Sequence, residues 1–221
     1  MKIKLIKIIL VSLLLVGESH HGYSQGSFVN LNFENPILPL TPVGFEVPIA
    51  NAIPGWTGSL GNRVYYNTVS IGAAAISLQG PGSPFPPIAG NYSVVLQSAF
   101  GVAPDGTAAV GQTGQIPSTA LSLRFFGDTN MQVTFIGHLL TLFELGRGTD
   151  YQIVGADISG FAGQTGELKF LMPDLTPVGS SSSYLDNIQF STQSIPEPGT
   201  LGLFAIGTLF LGWKLQGQPK P

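Results

Sequence analysis

Ten carboxylates, a single histidine and a few aromatic rings are the chemically useful side chains of this 221-residue chain between residues 25 and 195. The acids are Glu34, Glu46, Asp105, Asp128, Glu144, Asp150, Asp157, Glu167, Asp174 and Asp186. Two carboxyl groups at working separation hydrolyse glycosides, but spacing along the chain singles out no pair. His138 stands beside Gly137 in what reads as a two-residue hairpin turn, and no Gly-x-Ser-x-Gly elbow accompanies it, so a serine triad has no support. Cysteine is absent, which removes thiol catalysis, thiolate metal sites and disulfides. The chain is therefore expected not to be an enzyme.

Binding is the better-supported chemistry. A sugar site needs a flat aromatic face beside amide or carboxylate groups, and Trp56, Tyr65, Tyr66, Asn91 and Tyr92 are the candidates. Tyr65 and Tyr66 are adjacent, so a strand sends their rings to opposite faces and leaves one toward solvent. Trp56 follows Pro54-Gly55, where a lone tryptophan also serves to close a core. Asn91-Tyr-Ser93 matches a glycosylation acceptor and is read as coincidence. Nucleic acid is excluded as a partner: the same stretch has only Arg63, Arg124, Arg147 and Lys169 to set against its ten acids.

The elements that must position these residues read as nearly all β. Charged residues are 10% of the chain and hydrophobic ones 43%, with 29 Gly and 17 Pro, a composition that disfavours long surface helices. Short apolar or alternating runs predict strands at 28–33, 44–47, 63–66, 74–78, 92–97, 107–113, 120–126, 131–136, 139–145, 151–158, 167–172 and 183–190. The Pro-rich stretches 35–42 and 80–90 predict loops. Strands at this spacing imply an antiparallel β-sandwich, jelly-roll-like, with its first and last strands as neighbours.

The two ends differ from this middle. Lys2, Lys4 and Lys7 precede the apolar stretch 8–16 and a small, polar run, the layout of a secretory signal peptide over residues 1–24. Gly22 and Ser24 place cleavage before Gln25, and Gly17 and Ser19 offer another site. At the other end, Pro196-Glu197-Pro198 precedes thirteen mainly apolar residues, 201–213, and then Lys214 and Lys220. As a helix that run reaches roughly 20 Å against a bilayer core of about 30 Å, enough for transient contact with the inner membrane and short for a permanent span.

This tail resembles the PEP-CTERM sorting signal, carried by Pro196, Glu197 and Pro198, the Gly-rich apolar helix and the basic end. The resemblance implies export through the Sec translocon and processing by an exosortase at the membrane, in bacteria that make extracellular polysaccharide. Two separated lysines stand where the family usually has a tight basic run. The body, residues 25–192 ahead of a tail at 193–221, resembles galactose-binding-like and carbohydrate-binding jelly rolls. The carrying segments are Asn32-Phe-Glu-Asn35, Ile53-Pro-Gly-Trp56, Gly90-Asn-Tyr-Ser-Val-Val-Leu96 and Leu185-Asp-Asn-Ile-Gln-Phe190. The stretch from Asp157 to Phe170 is similar to what other PEP-CTERM proteins carry ahead of their tails. Such jelly rolls often hold a structural calcium between first and last strands, which puts Glu34 and Asp186 forward as ligands; a turn acceptor and a strand cap are the plainer roles for the two.

The expectation is an exported cell-surface or matrix protein whose non-catalytic body contacts extracellular polysaccharide. A secreted glycan-active hydrolase and a structural adhesin without a sugar ligand are the alternatives.

Overall fold

Alternation sets the strands. In β9 (Gln132–Phe135), Val133 and Phe135 are fully buried while Gln132 is exposed and Thr134 half-buried, the period of a sheet with one face on a core. The structure, a computed structural model, describes residues 23–24, 27–38, 46–69, 73–99, 106–175 and 180–195. Those residues form two sheets.

Numbered in chain order, the larger sheet runs β11 (Phe143–Arg147), β12 (Gln152–Asp157), β8 (Ser122–Gly127), β14 (Ser180–Ser191), β6 (Ser93–Ala99), β5 (Ala75–Gln79), β4 (Arg63–Tyr66), β2 (Glu46–Pro48), and β1 (Tyr23–Ser24) pairs with β14. The smaller runs β10 (His138–Leu139), β9, β13 (Thr165–Met172), β7 (Ala108–Gln115), β3 (Thr57–Gly58). Aromatic rings lock the two together: Phe125 of β8 meets Phe170 of β13 edge to face at 5.2 Å, and Trp56 lies 6.2 Å from Phe170. Each such buried ring contributes about 1.5–3 kcal/mol through area alone, with about 1 kcal/mol more for a well-set aromatic pair. The all-β sandwich expected from sequence is the architecture observed, and it is compatible with a jelly roll.

Four expectations give way locally. Residues 28–33 are not a strand. Asn30 and Phe33 sit at φ 51° and 56°, which breaks extended geometry, and Phe28, Leu31 and Phe33 still reach the core. The Gln112 amide replaces a strand partner there, accepting from Val29 N at 2.6 Å and donating to Val29 O at 3.0 Å. The hairpin turn is Ile136-Gly137, both at positive φ (49° and 76°), so His138 opens β10 opposite Phe135. The run 139–145 divides between sheets, with Leu139 ending β10 and Phe143 beginning β11. Last, β4 and β5 are parallel, Tyr65 opposite Ser77, and Asn67 directly after β4 takes φ 51°. The segment expected as first strand does neighbour the last, with Ile188 N donating to Leu31 O at 2.9 Å, and β1, at two residues assigned from sequence to the signal segment, also pairs with β14.

Among the described residues no helix is long and apolar enough to cross a membrane. The apolar run 201–213, the motif Pro196-Glu197-Pro198 and nearly all of the predicted signal segment lie outside them.

Candidate functional site

Five of the seven side chains put forward for ligand or metal binding meet at one rim of the sandwich. Glu34, on the irregular segment after Phe33, receives Asn91 N at 2.7 Å and Tyr92 N at 2.9 Å on Oε1, and the Asn91 amide at 3.1 Å on Oε2. Gly90 (φ 57°) allows this approach, since a β-carbon there would collide with the Glu34 carboxylate. Next along the chain, Ser93 Oγ accepts from Ile88 N at 3.0 Å and donates to Asp186 Oδ2 at 2.7 Å. Tyr66 and Tyr92 close around Gly80, and burial first, then Tyr92, pushes the Tyr66 phenol up from its ordinary value.

Asp186 is the electrostatic centre of the rim. It is 1% exposed at the bulge in β14, where pairing shifts from β6 to β8 and Asn187 takes φ 49°. Loss of water pushes its carboxyl from 3.8 up to about 7; Glu34 adds to the rise, while Ser93 and the backbone N–H groups of Asn187 and Ala89 oppose it.

As folded, the pair does not fit a calcium cage. Calcium takes six to eight oxygen ligands, whereas the atoms turned toward these two carboxylates are N–H and O–H donors. Among the described residues no three His, Cys, Asp or Glu side chains converge as metal ligands do. The donors do the work expected of a cation: they tie the N-terminal segment, the loop before β6 and β14 together.

The remaining two candidates stand apart. Trp56 is 3% exposed, packed on Phe33 and Phe170 with Nε1 donating to Asn30 O at 3.1 Å. It is a core residue, which corrects its placement as a sugar platform. Tyr65 lies half-buried on the outer face of β4, in a hollow with Glu46, Asn62 and Arg63. Sequence reasoning missed Ser93 as the partner of Asp186, although it lies inside the Gly90–Leu96 motif; Ser and Gln are common in this chain, and neither carries a periodic signal of its own.

The chain leaves the sandwich under restraint. Ser122 Oγ of β8 donates to Gln193 O at 2.7 Å, Gln193 N donates to Ser191 Oγ at 3.1 Å, and Ile195 packs over Gly155 and Leu145 on the outer face of β12 and β11. The residue before Pro196 is thus still part of the folded body.

No curated protein matches the chain. Residues 194–215 match the PEP-CTERM protein-sorting motif, so the segment that begins at this docked exit is the tail of exported proteins that an exosortase processes at the membrane.

Proposed function

We propose that this protein is secreted through the Sec translocon, held briefly at the inner membrane by residues 201–213, released by an exosortase, and placed at the cell surface. There its β-sandwich serves as a non-catalytic binding or structural module in contact with extracellular polysaccharide. The observation that carries the reading is the sorting motif at 194–215, whose first two residues are still part of a sandwich that is folded up to Ile195. An abundance of buried Phe and no cysteine suit a body that is held by packing and insensitive to the redox state outside the cell.

The test is intact mass and fractionation of the native protein. The expected form lacks both the N-terminal segment and the residues after Pro196-Glu197-Pro198 and is recovered outside the inner membrane. A cytoplasmic chain with both ends retained would overturn the reading.

A further inference from the structure

The larger sheet carries a second cleft, of about 320 Å³, beyond the ends of β8 and β12 and beside the start of β14. We propose that this cleft binds a neutral, hydroxyl-rich ligand, a short run of sugar units within a polysaccharide chain. The proposal rests on the reading that the body contacts polysaccharide and names the place and the ligand class.

Three observations lead to it. The lining combines two tyrosine rings, Tyr151 and Tyr184, with the planar polar groups of Asp128, Asp150 and Gln152, which is the pairing that alternating C–H and O–H surfaces of a sugar call for. The walls are already built. Tyr151 stacks on Phe126 at 4.4 Å and lies against Gly148, whose N–H donates to Tyr151 O at 2.9 Å. Gln152 Oε1 accepts from Thr129 N at 2.9 Å, and Asp128 Oδ1 accepts from Asn130 N at 2.8 Å, so the turn after β8 is fixed to β12. A preformed wall leaves little ordering cost for a weakly held, flexible ligand.

Charge selects the class. Asp128 and Asp150 line the cleft, and its one guanidinium, Arg147, is already held by Glu144 at 2.6 and 2.7 Å. That balance repels phosphate, sulfate or uronate groups, and the polar lining offers little to a lipid. Burial and then Asp150 push the Tyr184 phenol up, keeping it a neutral hydroxyl donor.

The experiment is calorimetric titration of the full-length chain in detergent with neutral hexasaccharides of glucose, xylose, mannose and galactose, with a galacturonate hexamer, and with the bacterium's own extracellular polysaccharide. A neutral probe should bind, and Tyr184→Ala should weaken it about tenfold or more. Asp150 is exposed, so Asp150→Asn leaves the fold intact and should weaken the same probe several-fold, while Thr113→Ala on the other sheet changes nothing. Binding that survives Tyr184→Ala and Asp150→Asn but is lost in Tyr65→Ala overturns the cleft and leaves polysaccharide contact standing. Preference for the galacturonate hexamer overturns the ligand class. Failure of every probe to bind overturns both this proposal and the polysaccharide reading.

Discussion

Ile195 occupies the space that a side chain on Gly155 would need: a β-carbon there would stand 2.6 Å from the Ile195 δ-carbon and 2.6 Å from a Leu145 δ-carbon. Gly155 is thus the notch in which the residue immediately before Pro196 rests. Gly155→Val should expel Ile195 and cost about 1–3 kcal/mol of stability through overpacking. The freed residues 193–195 should become cleavable in limited proteolysis under conditions where the native chain resists. In the producing bacterium the ratio of mature protein to precursor in a pulse-chase should rise, because the processing enzyme then meets a longer unrestrained approach to Pro196. An unchanged ratio would mean that processing proceeds with Ile195 docked.

Asp186 makes stability fall as pH rises. Its carboxyl titrates at about 7 in the fold against an ordinary 3.8, so between about pH 4 and 7 the native state holds a proton that the unfolded chain has released. The contribution is fully present below the ordinary value and is lost as pH passes through about 7, with an upper bound on the order of 4 kcal/mol. Asp186→Asn keeps the shape and removes the titration. Denaturant unfolding at pH 5 and pH 8 should show a loss of stability in the native chain that is absent from, or much reduced in, the Asn variant. Equal pH slopes in the two proteins would refute the assignment.

The strands were legible because their signal is local. Arg63–Tyr66 is bounded as predicted, and most of the others shift by one to three residues at their ends. What was not legible depends on backbone geometry that side-chain patterns do not report. Ile136 at φ 49° is a β-branched residue in a conformation its type disfavours, and only the closed hairpin shows why the turn lies one residue earlier than Gly137-His138. Residues 28–33 carry an apolar pattern fit for a strand, yet the backbone bonds of Val29 go to the Gln112 side chain, 83 residues away. The rim was half legible. Glu34 and Asp186 do come together, but sequence could not tell whether a cation or a set of N–H donors would lie between them and the loop before β6.

Glu34 is expected to act as a latch for that loop. Glu34→Ala removes the acceptor for three N–H bonds, from Asn91 N, Asn91 Nδ2 and Tyr92 N. Stability should drop by about 0.5–1.5 kcal/mol, because the two Asn91 donors are exposed and can turn to water, while Tyr92 N is partly buried. The melting temperature should be the same in calcium and in a chelator, since the carboxylates already have their partners. A rise of several degrees in calcium, abolished by Glu34→Ala, would show instead that the ion displaces the N–H donors and that Glu34 and Asp186 are its ligands.

The pairing of β1 bears on where the proposed N-terminal signal segment would be cut. Tyr23 and Ser24 lie antiparallel to Ser191 and Phe190, so cleavage before Gln25 would remove β1, the partner of the end of β14 that delivers the chain to its docked exit at Gln193. Cleavage before His20, after the small residues Gly17 and Ser19, keeps that pairing and satisfies the same preference for small side chains ahead of the cut. The mature N-terminus should therefore be His20, read by intact mass or by N-terminal sequencing of the native protein. A mature chain that starts at Gln25 would show that β1 is not part of the exported fold, and a Ser19→Glu variant, which blocks the earlier site by charge and bulk, should in that case leave processing unchanged; if His20 is the true start, the same variant should slow processing or move it to Gln25, with a lower melting temperature for the shortened body.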